Sequence, residues 1–244
     1  MGTTAQKLNK ILETKEAIRT AINNKGGTLT TTDTFASYPS AIDSLPSGGG
    51  DTLKTLLDAT QSTSFLFYNY KGTSIDGLIS YDDTENVNKM NEMFHNCSNL
   101  TTMPLFNTTK VTSMEKMFYQ CSSLINVKIN MGLVSSTYSM FYQCSNLKTI
   151  DITQSCSRFD NWFATDCYSL TKFIIRNMTT IPPIGANSFN NCYHFTGTTN
   201  ATYNPNGLKD GRIYVPDEKV DALKTATNWS VYADIIVPLS TLVE

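Results

Sequence analysis

Met117-Phe118-Tyr119-Gln120-Cys121-Ser122-Ser123-Leu124-Ile125-Asn126-Val127-Lys128-Ile129 decides how this 244-residue chain folds, because the chain repeats it. It returns as Met140-Phe141-Tyr142-Gln143-Cys144-Ser145-Asn146-Leu147-Lys148-Thr149-Ile150-Asp151-Ile152, and Met93-Phe94-His95-Asn96-Cys97-Ser98-Asn99-Leu100 precedes it. Five of the six cysteines, at 97, 121, 144, 167 and 192, mark intervals of 24, 23, 23 and 25 residues. A fixed period of this size denotes stacked supersecondary units, leucine-rich repeats spanning roughly 20–29 residues. An aromatic column reads Phe94, Phe118, Phe141, Phe163 and Phe189, with one extra residue before Cys167. Met93, Met117, Met140 and Trp162 stand directly ahead of it, and Val87, Val111 and Val134 lie further upstream. Leu100, Leu124, Leu147, Leu170 and Phe195 follow the cysteines, then the pairs Met103/Leu105, Val127/Ile129, Ile150/Ile152 and Phe173/Ile175.

Apolar residues at every second position predict a short strand with alternate side chains facing inward. The three- and four-residue spacing of Val111, Met114, Met117 and Phe118 predicts a helical turn. One such unit cannot bury its own apolar face, so neighbours stack. The expected fold is therefore an α/β repeat solenoid of leucine-rich-repeat type, a strand plus a helical turn every 23–25 residues. The cysteines then form an internal ladder of small apolar side chains. A metal site wants clustered Cys-x-x-Cys spacing, which is absent, and five cysteines in one column cannot all pair. Cys156 is off register and has no role in this reading.

Met-Phe-x-x-Cys-Ser-x-Leu followed by apolar-x-apolar, with Val111-Thr-Ser-Met-Glu-Lys-Met-Phe118 upstream, resembles the BspA-type leucine-rich repeat over about residues 79–195. Two units depart from the pattern. Phe163-Ala-Thr-Asp-Cys167 carries the extra residue, and Asn191-Cys192-Tyr-His-Phe195 lacks the strand pair and runs into Thr196-Gly-Thr-Thr-Asn200.

Outside the repeats, Leu8, Ile11, Leu12, Ile18 and Ile22 form one stripe of an amphipathic helix expected over 5–25, capped by Thr3 or Thr4 and stopped by Gly26-Gly27. A second short helix is expected over 33–45. The division is a helical attachment or oligomerisation module (1–46), a Gly-rich linker (47–51), the solenoid with an atypical capping unit (52–211) and a closing strand–helix segment (212–244). In that last segment Arg212–Val215 reads as a strand stopped by Pro216, and Asp217 as a helix N-cap. The stretch from Lys7 to Gly26, followed by Asp33-Thr-Phe-Ala-Ser-Tyr-Pro39, is similar to N-terminal modules of phage tail, baseplate and fibre proteins. That similarity implies attachment to other virion proteins, with a trimer as one plausible homo-oligomer. The chain start carries no apolar secretory region. A virion protein released by lysis fits this, whereas a cell-surface adhesin of BspA type would need a signal.

Composition narrows the function further. Only 16% of residues are charged, against about 25% in a typical domain, while 34 Thr, 22 Asn and 22 Ser cover the surface with hydroxyls and amides. The net charge of -2 argues against nucleic acid, which demands a basic footprint. No window has the roughly 18 uninterrupted apolar residues of a membrane span. No nucleophile triad, Walker loop, dinucleotide fingerprint or paired metal ligands occur, so no catalytic residue, metal or cofactor is expected. The candidate ligand-binding residues are His95, Tyr119 and Tyr142, rings on successive repeats edged by Asn96, Gln120 and Gln143. Such rings could stack on sugars while the amides bond hydroxyls, or merely cover the solenoid's side or a neighbouring subunit. The expected function is a non-enzymatic virion protein, a tail, baseplate or fibre protein binding a host-surface glycan or protein. The alternatives are a head fibre or capsid decoration protein, a cellular adhesin, and a carbohydrate-active enzyme of unusual architecture.

Overall fold

The computed structural model describes residues 61–243 apart from Gly77 and Pro104, together with Glu16, Arg19, Thr20, Ile22, Asn23, residues 28–30 and Leu57. Glu16, Arg19, Thr20, Ile22 and Asn23 are helical. The rest of the helix at 5–25, the helix at 33–45 and the linker at 47–51 lie outside the described residues.

Each repeat is one coil, and its wall opposite the strands is not helical. Backbone donors there alternate between two destinations. Met117, Tyr119 and Cys121 donate to carbonyls three residues back in their own coil, at 3.1–3.2 Å. Met114, Lys116, Phe118 and Gln120 donate to Ser136, Tyr138, Met140 and Tyr142 of the next coil, at 2.8–3.0 Å. An α-helix would consume every donor internally and leave nothing to join the coils. The alternation requires flipped peptides, which left-handed residues provide: Glu92 and Asn96, Lys116 and Gln120, Ser139 and Gln143, Trp162 and Asp166 all have φ between 52° and 61°. Each costs about 1–2 kcal/mol, while four inter-coil bonds return about 0.5–1.5 kcal/mol apiece. The expected helical turn is thus replaced by a chain of hydrogen-bonded turns whose unused donors staple coil to coil.

The same ladder sets the register. Phe67, Phe94 and Phe118 donate to Met93, Met117 and Met140, and Phe141 donates to Phe163. Phe163 therefore stands in the methionine column, Ala164 in the phenylalanine column and Trp162 in the left-handed column. The expected extra residue before Cys167 does not exist; the unit has exchanged a large and a small side chain between neighbouring core positions. The aromatic column shows the effect. Phe67, Phe94, Phe118 and Phe141 stack at 5.3–5.4 Å and within 8° of parallel, and Phe163 then turns 88° from Phe141. At the other end, Leu66-Phe67-Tyr68-Asn69-Tyr70 is an authentic coil with Tyr70 in the cysteine position. Among the described residues the phenylalanine column accordingly has six occupants, at 67, 94, 118, 141, 164 and 189.

The strand wall is a parallel sheet of β1 (Asn126–Asn130), β2 (Thr149–Gln154), β3 (Lys172–Ile175), β4 (Arg212–Val215) and β5 (Ile236–Pro238), in that spatial order. Val127, Ile150, Phe173, Ile213 and Ile236 lie in one inward row. On the outer side Asp151 of β2 accepts two bonds of 2.9 Å from Arg176 just beyond β3. Met103 and Leu105 form no strand: Leu105 is exposed and Phe106 takes the inner place. Pro104 between them lacks the N–H a ladder needs.

The unit at Cys192 recovers its strand after an excursion. A four-residue helix, α1 (Tyr193–Thr196), and a loop to Gly211 intervene before β4 pairs with β3. Asn204, buried, pins that loop, donating to the carbonyls of Tyr193, Thr198 and Leu208 and accepting the Leu208 N–H. Beyond β4, a 3-10 turn (Asp217–Lys219) leads into α2 (Val220–Thr225), and β5 extends the sheet by a strand the sequence did not announce. Asp217 is not an N-cap; its carboxylate accepts the Ser240 N–H at 3.0 Å. Trp229 is fully buried over the last coils and donates to the Pro182 carbonyl at 2.8 Å.

Candidate functional site

The cysteine column lies fully inside the coils, and all six cysteines are free thiols. Each column thiol donates to the carbonyl of the phenylalanine-column residue one coil back: Cys97 to Phe67, Cys121 to Phe94, Cys144 to Phe118, Cys167 to Phe141 and Cys192 to Ala164, at 2.9–3.2 Å. Cysteine is thus the residue small and apolar enough for the site that still supplies a donor. Burial pushes the thiols of Cys121, Cys144, Cys167 and Cys192 up, so they stay protonated and unreactive. Cys156 now has a place: it packs in the loop after β2, donates to Arg158 at 3.0 Å, and burial raises it to about 12. Among the described residues no group of three His, Cys, Asp or Glu is placed to hold a metal ion, and no helix is long and apolar enough to cross a membrane.

His95, Tyr119 and Tyr142 do come together. They follow the core phenylalanines and sit half-buried on successive coils, and Tyr68 begins the same column. Centroid separations are 4.7 Å for Tyr68–His95, 4.6 Å for His95–Tyr119 and 5.0 Å for Tyr119–Tyr142, all within 22° of parallel. The faces therefore cover one another, and the rings within the ladder offer their edges and hydroxyls rather than open stacking surfaces. His95 Nδ1 lies 3.2 Å from the Glu92 carboxylate, and Lys116 Nζ sits 6.0 Å from the Tyr119 ring centre. The ladder stops at Tyr142, because the swapped unit places Thr165 next in line.

Beside the rings runs a second ladder, of left-handed residues. Asn96 donates to Asn69 at 2.7 Å, Gln120 to Gln143 at 2.8 Å and Asn191 to Asp166 at 2.7 Å. Asn and Asp tolerate this backbone region better than most residues, so one position meets both the turn and the rung. A third column holds the residue after each cysteine: Ser98, Ser122 and Ser145, then Tyr168 and Tyr193. Tyr168 stacks on Tyr193 at 5.3 Å and meets Tyr203 at 4.8 Å and 40°. The second and third columns border an open groove of about 380 Å³ lined by Asn96, Gln120 and Gln143, the three serines, Tyr168 and Tyr203; His95, Tyr119 and Tyr142 are not among its lining residues. No lining residue is charged. Asp166, buried, takes the place after Gln143 in the left-handed ladder, and the phenols of Tyr142 and Tyr168 are raised, first by burial and then by the Asp166 carboxylate, so both remain neutral donors.

A larger hollow of about 630 Å³ lies at the strand ends, among Gln154, Arg176, Asn177, Asp217, Glu218 and Ser240. Much of its polar lining is already engaged: Arg176 by Asp151, Asn177 by the Thr153 carbonyl and Asp217 by Ser240. It also has no aromatic wall, so the groove on the ladder side is the better binding surface. Sequence reasoning found the ring column but missed Tyr68, Tyr168 and Tyr203. Phe67-Tyr68-Asn69 echoes Phe118-Tyr119-Gln120 and could have been read; Tyr203 had no sequence signal, since only the loop brings it there.

No curated protein and no solved structure matches the chain. The profile of the BspA type leucine rich repeat region matches residues 60–199 in six copies, the number of coils counted along the phenylalanine column. With more than half of its length matched, the chain belongs to the BspA-type leucine-rich repeat family.

Proposed function

We propose that this chain is a non-catalytic recognition module of a virion, fixed to the particle by its N-terminal segment and turning the ladder side of the solenoid toward the host surface. A tail fibre or baseplate is the first location, a head fibre or capsid decoration the second. The observation that carries the recognition reading is the groove itself: an amide column and a serine column repeated coil after coil, with no charged lining residue and with Tyr168 and Tyr203 at one end. Such a surface suits extended contact rather than bond breaking, and the chain's thiols are buried. The similarity of residues 7–39 to phage attachment modules supports the particle. Family membership concerns the solenoid alone and suits a cell-surface adhesin equally, a reading selected by a genomic start upstream of Met1 encoding an apolar leader. Immunogold labelling of purified particles decides the matter. Label at the tail, baseplate or head supports the proposal, and particles free of label and of its peptides overturn it.

A further inference from the structure

Two departures from the repeat meet at one end of the groove. The column that holds serine in three coils changes to Tyr168 and Tyr193, and the excursion between Thr196 and Gly211 interrupts the coil and lays Tyr203 against Tyr168. The loop is built to hold that ring. Asn204, its neighbour, is buried with four hydrogen bonds, and the Tyr203 carbonyl lies 3.1 Å from His194 Nε2, whose Nδ1 is 2.7 Å from Asp210. At the same end Gln143 accepts from Gln120, and the Gln143 side-chain NH2 and the Gln120 Oε1 have no hydrogen bond to a described residue. Unspent donors and acceptors beside ring surface are what a polyhydroxylated ligand with apolar C–H faces requires.

We infer that this end of the groove is a subsite for a neutral saccharide chain, Tyr168 and Tyr203 forming the ring wall and the Gln120–Gln143 rung the hydroxyl partner. The inference rests on the recognition reading above and names its ligand class. Anionic glycans and phosphates are disfavoured because no cation lines the groove, while the Asp166 carboxylate stands one coil beyond Gln143 in the amide ladder. An extended peptide is disfavoured because the backbone donors of Met114, Lys116, Phe118 and Gln120 are all spent on the next coil. A saccharide chain laid across the coils meets a new amide or serine at each one.

The test uses the full chain on arrayed neutral oligosaccharides, hexamers of glucose, galactose, mannose and N-acetylglucosamine, alongside sialylated and sulfated chains. Affinity for the best neutral hexamer is then measured by calorimetry. Tyr203→Ala and Tyr168→Ser, the latter copying Ser145, each weaken binding at least tenfold, while Trp162→Ala, away from the groove, leaves it unchanged. Retention of the wild-type melting temperature by Tyr203→Ala shows that the loss is not unfolding. Binding of no neutral chain, binding of anionic chains alone, or undiminished affinity in both tyrosine variants overturns the inference. If particles carry the protein and adsorb normally with Tyr168→Ser, the subsite fails and recognition stands. If particles lack the protein, the virion reading fails whatever the array gives.

Discussion

Swapping Phe163 and Ala164 back toward the pattern of their neighbours tests the register directly. Both side chains are fully buried, and Phe163 meets Phe159 at 4.9 Å, Phe141 at 5.4 Å, Phe173 at 6.0 Å and Phe189 at 6.3 Å between ring centres. Phe163→Met removes roughly three heavy atoms from this cluster, about 2 kcal/mol at ~0.8 kcal/mol per buried carbon. Ala164→Phe alone forces a ring into a filled site and costs about 1–3 kcal/mol. The double variant recreates Met140-Phe141 one coil later and extends the parallel stack, so it should lie within about 1 kcal/mol of the wild type. With the double variant near the wild type, the coupling between the two changes is about 3–5 kcal/mol, at or above the upper end of the ~0.5–3 kcal/mol found for touching residues. Urea unfolding of all four proteins, followed by far-ultraviolet circular dichroism, measures it. Additivity within about 0.5 kcal/mol would refute the exchanged register.

Three further outcomes follow from the same geometry. Thiols whose folded pKa is raised above an ordinary value near 9 contribute stability that is present below that pH and is lost above it. Each such thiol should subtract about 1.4 kcal/mol per pH unit above about pH 9, so a flat urea midpoint from pH 9 to 11 would contradict the buried ladder. Trp229→Phe leaves the Pro182 carbonyl without its donor in a buried site and should cost about 1–3 kcal/mol in a thermal melt, whereas Val231→Ala on the exposed surface should cost almost nothing. Asn204→Ala removes four hydrogen bonds from the 196–211 loop; hydrogen exchange should rise there by at least tenfold while β1–β3 stay protected, and unchanged loop protection would show that Asn204 is not its anchor.

Much of the fold was legible because repetition multiplies weak signals. Cys97, Cys121 and Cys144 fix the period, and Val127/Ile129 with Ile150/Ile152 mark strands that do pair. The helical turn misled because the apolar spacing of Val111, Met114, Met117 and Phe118 fits a helix and a series of turns alike. What separates them is the destination of each N–H, a property of two coils together that no single segment records. Trp162-Phe163-Ala164 misled for a related reason: Phe163 was matched by chemistry, whereas the ladder counts position. At the site, the ring column His95, Tyr119 and Tyr142 was visible as a sequence pattern, but its mutual stacking depends on the rise between coils. Tyr203 was invisible, since its partner Tyr168 is reached only through a loop held by Asn204.

The alternating destination of backbone donors has a consequence for how such a chain changes length over generations. Phe118 donates to Met140 as Phe94 does to Met117, so removing or duplicating one whole period leaves every donor facing an acceptor of the same kind. A smaller insertion has no such match and must leave the ladder as a loop, as the stretch between α1 and β4 does. Growth is therefore quantised, in steps of one coil that each lengthen the groove by one rung. The molecule behaves as a ruler whose graduations are set by peptide geometry, and relatives with more or fewer coils would measure longer or shorter stretches of the same surface.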